Sequence, residues 1–492
     1  MFRIPGARRR LVTVASRRVV NNVNAPSTPL RRYASQAGKA EGSSNRLPIA
    51  AGLALVGVSG VYLLSRPRKT FTRGSEHGED APAIDDAAAG DVTSPVKVYS
   101  YEEANQKIRE NAQSFKFQAK DGQGRVDVVK LQSNTRVEDE WAVGLGDGVG
   151  GQKTLYAGVY DGHAGWATSA VLRKTLIPTV SSALAPLASS VPGDAIDTAI
   201  KKAFERLDNE IMEKGKSAAD SASEDGTAEA IAALAPAIAG SCALLTIYDI
   251  PSSTLRTAVT GDSRAVLGSW SKEKKKYVLD AISKDQTGFN ENEVKRLDEE
   301  HPGEKDNILN PKSGRLIGLA VTRAFGDHRW KWPSEFTTSV HDRFYGYSPR
   351  PHTTTPPYLT ARPEVTTRSV QSEDFVIMAS DGLWDVISSE DAVECVSQWL
   401  TARKAGKPQV VKPAKAVFKS NGTDEATQKC TPKNFAIEDL DNAAVCLMKN
   451  ALGGNRREMF RGLVTTYAPL SRYARDDITI QVIFFRDPYG KN

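Results

Sequence analysis

Apolar positions along this chain fall into two rhythms. Val126–Leu131 and Thr154–Tyr160 are short apolar runs rich in Val, Thr and Tyr, and they predict buried strands. Ser241–Tyr248 and Leu255–Val259 flank Pro251-Ser252-Ser253, the pattern of a hairpin, and Ala265–Trp270 with Lys276–Ile282 predicts a second one. Asp374–Ala379 and Ile478–Phe485 read as two further strands. Ala195–Lys214 has the other rhythm: Ile200, Ala203, Phe204, Leu207 and Ile211 share one face of a helix. A helix is also predicted from Trp166 to just before Pro178, a short one over Asn292–Glu300, and one over Ser388–Leu400, opened by a Ser-Ser-Glu-Asp cap. Another spans Asp439–Leu452 and is closed by Gly453-Gly454. Residues 216–236 and 403–435, rich in small and polar residues, are expected to be surface insertions. Hairpins interleaved with helices, without regular strand–helix–strand alternation, predict an α+β fold.

Charge divides the chain. Of 65 Lys and Arg, nine lie in residues 1–40, which hold no Asp or Glu; the rest carries 56 against 59 acids. The body is therefore slightly acidic, and nucleic acid is not an expected partner. Residues 1–46, rich in Arg and Ser, have the composition of a mitochondrial transit peptide, with a processing signal at Arg31-Arg32-Tyr33-Ala34-Ser35. Residues 47–64 contain no charge and predict a transmembrane helix about 27 Å long, enough to anchor the chain in the inner mitochondrial membrane. A stop-transfer helix there would leave the domain in the intermembrane space; without arrest it would reach the matrix. Residues 65–95 read as a flexible linker and 96–492 as the globular domain. Cys242, Cys395, Cys430 and Cys446 show no metal or disulfide spacing.

The chemistry lies where apolar runs stop. Asp161, Gly162 and His163 follow one predicted strand; Asp381 follows another, and Asp476 precedes the last. If strand ends converge, Asp161, Asp381 and Asp476 could hold two hard divalent cations, with Asp161 bridging and the Gly162 carbonyl beside it. Buried carboxylates without a cation would repel one another. A water shared by two such ions loses its proton near neutral pH and can attack a phosphate ester in line. A protonated His163 could return a proton to the leaving alkoxide.

Asp161-Gly162-His163-Ala164-Gly165, Gly261-Asp262-Ser263-Arg264, Thr322-Arg323-Ala324-Phe325-Gly326-Asp327, Ser380-Asp381-Gly382-Leu383-Trp384-Asp385 and Arg475-Asp476-Asp477-Ile478-Thr479-Ile480 together resemble the metal-dependent protein phosphatase 2C family. The resemblance spans about residues 96–488. It implies a four-layer αββα sandwich, two antiparallel sheets flanked by helices, and a pair of Mn²⁺ or Mg²⁺ ions acting on phosphoserine and phosphothreonine. It assigns Glu138 and Asp139 to metal-bound waters, and Asp262 and Asp385 to a weaker third ion found in some members. Many members carry an Arg four residues before the Glu-Asp pair to bind substrate phosphate; here that position is Asn134, to which the resemblance assigns the phosphate-binding role. This departure, with Asn290-Glu291-Asn292-Glu293-Val294 and His301-Pro302-Gly303-Glu304, resembles the pyruvate dehydrogenase phosphatase branch, which implies pyruvate dehydrogenase E1α as substrate. That complex is in the matrix, so a stop-transfer reading of 47–64 conflicts with it. Two other readings are an inactive, membrane-tethered phosphoprotein-binding module and a phosphatase for other substrates. Retention of Asp161, Asp381 and Asp476 disfavours the inactive module.

Overall fold

The computed structural model describes residues 95–409, 412–415 and 429–490. The expected leader, the 47–64 span, nearly all of the linker and much of 403–435 lie outside the described residues. Among the described residues, no helix is long and apolar enough to cross a membrane.

The strands of the two large sheets run β1 (Gln113–Ala119), β2 (Gly122–Leu131), β3 (Glu140–Asp147), β4 (Lys153–Tyr160), β5 (Ala243–Asp249) and β6 (Thr254–Thr260). They continue with β7 (Arg264–Ser271), β8 (Lys276–Ala281), β9 (Glu364–Ser369), β10 (Phe375–Ala379) and β11 (Ile478–Phe484). One sheet has the order β1-β2-β11-β10-β7-β8 and the other β9-β6-β5-β4-β3, with antiparallel neighbours throughout.

The two inner faces meet through Val126, Val128, Leu155, Ala157, Val159, Leu244, Val376, Met378 and Ile483. The alternate residues point outward and are buried as well. On the six-stranded sheet, Val129, Ile377, Ile480 and Val482 pack under α1 (Tyr101–Arg109) and three later helices. On the five-stranded sheet, Tyr156, Tyr160, Leu245 and Ile247 pack under α2 (Ala167–Leu184), α3 (Gly193–Ser221) and α4 (Ala228–Ile238). The later helices are α5 (Ser389–Ala405), α6 (Ala443–Ala451) and α7 (Arg457–Thr465). Burial on both faces explains why the central strands are continuous apolar runs rather than alternating ones. Each large apolar side chain removed from water contributes about 1.5–3 kcal/mol. The result is the expected α+β, four-layer αββα sandwich.

Several local expectations needed correction. α2 continues past Pro178 to Leu184. Pro178 is exposed, so water can serve the carbonyl it frees, while Leu172, Leu176, Val180 and Leu184 bind the helix to the sheet. Residues 216–236 are not a surface insertion. α3 runs through Ser221, and α4 buries Ala230, Leu234 and Ala237 against the same core. Alanine-rich sequence looks like a linker, but it is also a strong helix former with room for close helix contact. α6 begins at Ala443 rather than Asp439, because Asn442 caps it by accepting from the Val445 N–H.

Between β8 and β9 the chain builds a smaller core around Leu297, Ile308, Leu316, Trp330 and Tyr358. Its polar centre is Glu293, fully buried, which receives Arg323 at 2.6 Å, Thr322 at 2.8 Å and Arg296 at 3.1 Å. Burial pushes the Glu293 carboxyl up, but Arg323 more than offsets this and holds it below its ordinary value. Glu293→Ala would strand the Arg323 charge. The expected loss is about 3–5 kcal/mol in urea unfolding, and an unchanged midpoint would show that the pair is not a structural centre.

Candidate active site

In an antiparallel ladder, the end of one strand lies beside the start of the next. Tyr160 pairs with Glu140, so Asp161 at the end of β4 adjoins Glu138 and Asp139 at the start of β3. Ala379 pairs with both Arg264 and Ile480. This gathers Asp381 after β10, Asp262 before β7 and Asp476 before β11 at one edge. One ligand oxygen from each of Asp161, Asp262 and Asp381 lies within 4.8 Å of the others. The Asp381 N–H points to Asp161 Oδ2 at 3.4 Å. Asp385 is exposed and close enough to push Asp381 up.

The remaining acids have distinct settings. Glu138 Oε1 accepts from the Gly165 N–H at 2.7 Å, and Oε2 from the Asn134 amide at 2.8 Å. Asn134, expected to bind substrate phosphate, therefore has its side chain on Glu138. Asp139 is buried, and its Oδ2 has no hydrogen-bond partner among the described residues. Asp476 is half exposed; its Oδ1 accepts from the Asp477 N–H at 2.7 Å and pairs with Arg472 at 3.3 Å. A close approach fixes Gly162: a Cβ there would lie 2.3 Å from the Glu138 carbonyl oxygen.

Electrostatics mark the cluster as unbalanced. Burial, and then Asp381 and Asp139, push the Asp161 carboxyl well above the carboxylate range. Burial, and then Asp262 and Asp385, do the same to Asp381. Asp139 is pushed up to about 7 by burial and the nearby Asp477. Burial also raises Asp262 and Glu138. An all-oxygen donor set, mutually repelling and with an orphaned Asp139 oxygen, fits hard divalent cations.

A three-stranded ribbon positions the histidine. Gly162 pairs with Ser241 and His163 with Gly240, while Phe325 pairs with Ser241 and Gly326 with Gly240. His163 and Asp327 therefore meet across Gly240, and Nε2 lies 2.7 Å from Asp327 Oδ2. Burial alone would lower the imidazole; Asp327 more than reverses this and holds it above its ordinary value. Asp327 is 1% exposed and adopts a left-handed backbone, φ 61°. Its role was not evident from sequence, although it closes the Gly326-Asp327 step of a motif singled out above. A carboxylate straight after a glycine and before a short helix was the available signal.

Asp477 also emerged only from the structure. Its Oδ1 accepts the Ser133 and Asn134 N–H groups at 2.5 and 3.2 Å, and Oδ2 the Glu138 N–H at 2.8 Å. It clamps the segment that delivers Glu138 and Asp139. Arg264, of the Gly-Asp-Ser-Arg motif, forks onto Asp285 at 3.0 and 2.5 Å.

A two-sheet sandwich thus carries, at one edge, an acidic cluster able to hold divalent cations beside a carboxylate-paired histidine. The family model for protein phosphatase 2C matches residues 128–428. The chain belongs to that family and is a protein serine/threonine phosphatase. A protein phosphatase 2C homolog of Schizosaccharomyces pombe is 38% identical over 382 residues, covering 74% of this chain and 81% of the relative. The mitochondrial [pyruvate dehydrogenase [acetyl-transferring]]-phosphatase 1 of Saccharomyces cerevisiae is 34% identical over 402 residues, covering 74% and 69%. The human mitochondrial phosphatase 2 of the same description is 31% identical over 317 residues, covering 60% and 56%.

Two measurements probe the site. A Cβ at position 240 would lie 2.1 Å from His163 Nε2 and 2.3 Å from Asp327 Oδ2. Gly240→Ala should force the pair apart and cost roughly hundredfold in kcat on alkyl phosphates, with a much smaller loss on nitrophenyl phosphate. Equal losses on both would dissociate the pair from proton delivery. The second concerns pH without metal. Asp139 has a folded pKa of about 7 against an unfolded value of about 3.9, so the folded state binds more protons between them. Stability should fall as pH rises through that window. The thermal midpoint of metal-free wild type should drop from pH 5 to 7.5 relative to Asp139→Asn, which lacks the titrating group. A pH-independent difference between the two proteins would exclude a repelling cluster.

Proposed function

We propose that the chain is a mitochondrial phosphatase that removes phosphate from phosphoserine of pyruvate dehydrogenase E1α. The observation that carries the chemistry is the convergence of Asp161, Asp262 and Asp381 beside the His163–Asp327 pair. The names of the yeast and human relatives support the substrate and the compartment. So does the leader composition of residues 1–46. E1α as substrate in the matrix requires that 47–64 not arrest import.

In this reading Asp161, the Gly162 carbonyl, Asp381 and Asp476 hold two Mn²⁺ or Mg²⁺ ions, and Glu138 and Asp139 hold their waters. Asp262 and Asp385 serve a third, weaker ion. When bound, the ions neutralise the carboxylates, orient the phosphate and lower the pKa of the attacking water. The protein supplies the rest. With Nε2 committed to Asp327, His163 keeps Nδ1 to deliver a proton to the departing serine oxygen. Asp327 keeps the imidazole protonated and oriented, a positioning role. The Glu138 bonds to Gly165 and Asn134 hold its carboxylate at the rim.

The test is phosphate release from a phosphorylated E1α peptide and from unrelated phosphopeptides, with Mn²⁺ or Mg²⁺ and with EDTA. Metal-dependent release at least about tenfold faster with E1α is expected, equivalent to about 1.4 kcal/mol of discrimination. Asp161→Asn should abolish release at saturating metal. Metal-dependent release without preference would remove E1α as the substrate. Wild-type-like turnover by Asp161→Asn would remove the two-ion assignment.

A further inference from the structure

Many arginines in this protein have a carboxylate partner: Arg109, Arg264, Arg323 and Arg343 each pair at 2.7 Å or less. Arg329 and Arg350 do not. Among the described residues neither makes an ion pair, and the Nε of each is buried without a hydrogen-bond partner. They are held together by rings instead. The Arg350 guanidinium lies 4.8 Å from the Trp330 ring centre, and that of Arg329 lies 5.7 Å from Trp330 and 5.6 Å from Tyr347. Holding two partly buried guanidiniums near one another without an anion is unfavourable. Burial and the neighbouring Arg350 push Arg329 down to about 10.

Position connects this pair to catalysis. Arg329 is two residues beyond Asp327, the partner of His163, and Asp327 is the acid whose field reaches both guanidiniums. Two other arginines near the site are engaged by carboxylates, and a third lies over a ring. Arg264 is bound to Asp285, Arg472 to Glu138 and Asp476, and Arg136 lies over the Trp166 ring. Tyr347 is 46% exposed, so the pair borders open surface rather than a sealed core.

We propose that Arg329 and Arg350 form a recognition site for a second oxyanion on the phosphopeptide, a few residues from the phosphoserine being cleaved. Planar guanidiniums stacked on rings present their remaining donors in the fork that phosphoryl and carboxylate groups accept. This rests on the reading of the chain as a phosphopeptide phosphatase, and it adds a specificity determinant outside the metal cluster.

The test uses the full chain with Mn²⁺ and fluorescein-labelled peptides in which phosphonomethylalanine replaces the scissile phosphoserine. The flanking position carries Ala, Glu or a second phosphonomethylalanine, and binding is read by fluorescence anisotropy. Wild type should bind a doubly anionic peptide about tenfold tighter than the Ala peptide. In the Arg329→Gln/Arg350→Gln double variant that ratio should fall to about one, and in each single variant to an intermediate value. The single variants decide the matter if the double variant does not fold. A gain from both anions identifies a general oxyanion site, and a gain from the second phosphonate alone identifies a phosphoryl site. A ratio near one in wild type, or a tenfold ratio surviving in the variants, overturns the proposal. Mn²⁺-dependent hydrolysis of para-nitrophenyl phosphate by wild type is followed separately. Its absence would refute the catalytic reading, while the anisotropy ratio would still decide the arginine site.

Discussion

Mutual repulsion among carboxylates at one edge of the sandwich is the constraint on which the rest of this structure depends. Asp139, Asp161, Asp262 and Asp381 are pushed up by burial; Asp381 and Asp139 raise Asp161 further, Asp262 and Asp385 raise Asp381, and Asp477 raises Asp139. No chain would hold such a group on loops alone. Antiparallel pairing does so here because the registers fix where each strand begins and ends. Sheets buried on both faces supply the rigidity, since a shift of one residue would turn outward-facing core residues inward. The metal requirement of the family and the thickness of its core are thus linked.

The division of labour between two adjacent acids follows from the same constraint. Asp476 stays half exposed and uses one oxygen on its neighbour's N–H and on Arg472. Asp477 is 3% exposed and spends both oxygens on backbone N–H groups of residues 133–138. Such a carboxylate acts as a clamp: three N–H bonds satisfy a buried charge without a cation. The sequence shows Asp-Asp; only the folded loop shows which one remains open toward the cluster.

Legibility followed burial for most strands, with β8 the exception: half-exposed, it was read from its hairpin with β7. β4, β5, β10 and β11 were evident because both faces are covered and the runs are continuously apolar. β1, β3 and β9 passed unnoticed. Their side chains are largely exposed or half-buried, and sequences such as Gln113–Ala119 and Glu364–Ser369 mix charge and polarity with few apolar positions. Strand character there comes from a neighbour's ladder, which a single segment does not record. Asp161 and Asp381 were readable because each follows closely on a clear strand, whereas Asp262 was assigned through the family resemblance. Asp327 was not, since its partner is 164 residues away and its ribbon strand is two residues long.

The histidine pair shows how little sequence such a device needs. Three two-residue strands, Gly162–His163, Gly240–Ser241 and Phe325–Gly326, are too short to be stable alone. They are held from outside: Asp161 is continuous with β4, and its carbonyl accepts from the Cys242 N–H at 2.8 Å, just before β5 begins. On the far side, the Gly326 N–H is taken by Asp208 of α3 at 2.9 Å, and Asp208 is itself paired to Lys331 at 2.6 Å. The ribbon is thus tied to the five-stranded sheet at one end and to a helix of the outer layer at the other. A missing side chain at Gly240 then lets the His163–Asp327 bond cross the middle strand. The His163–Asp327 pair is therefore set by the same sheet that sets the acids, and its geometry requires no residue dedicated to it beyond one carboxylate and one glycine.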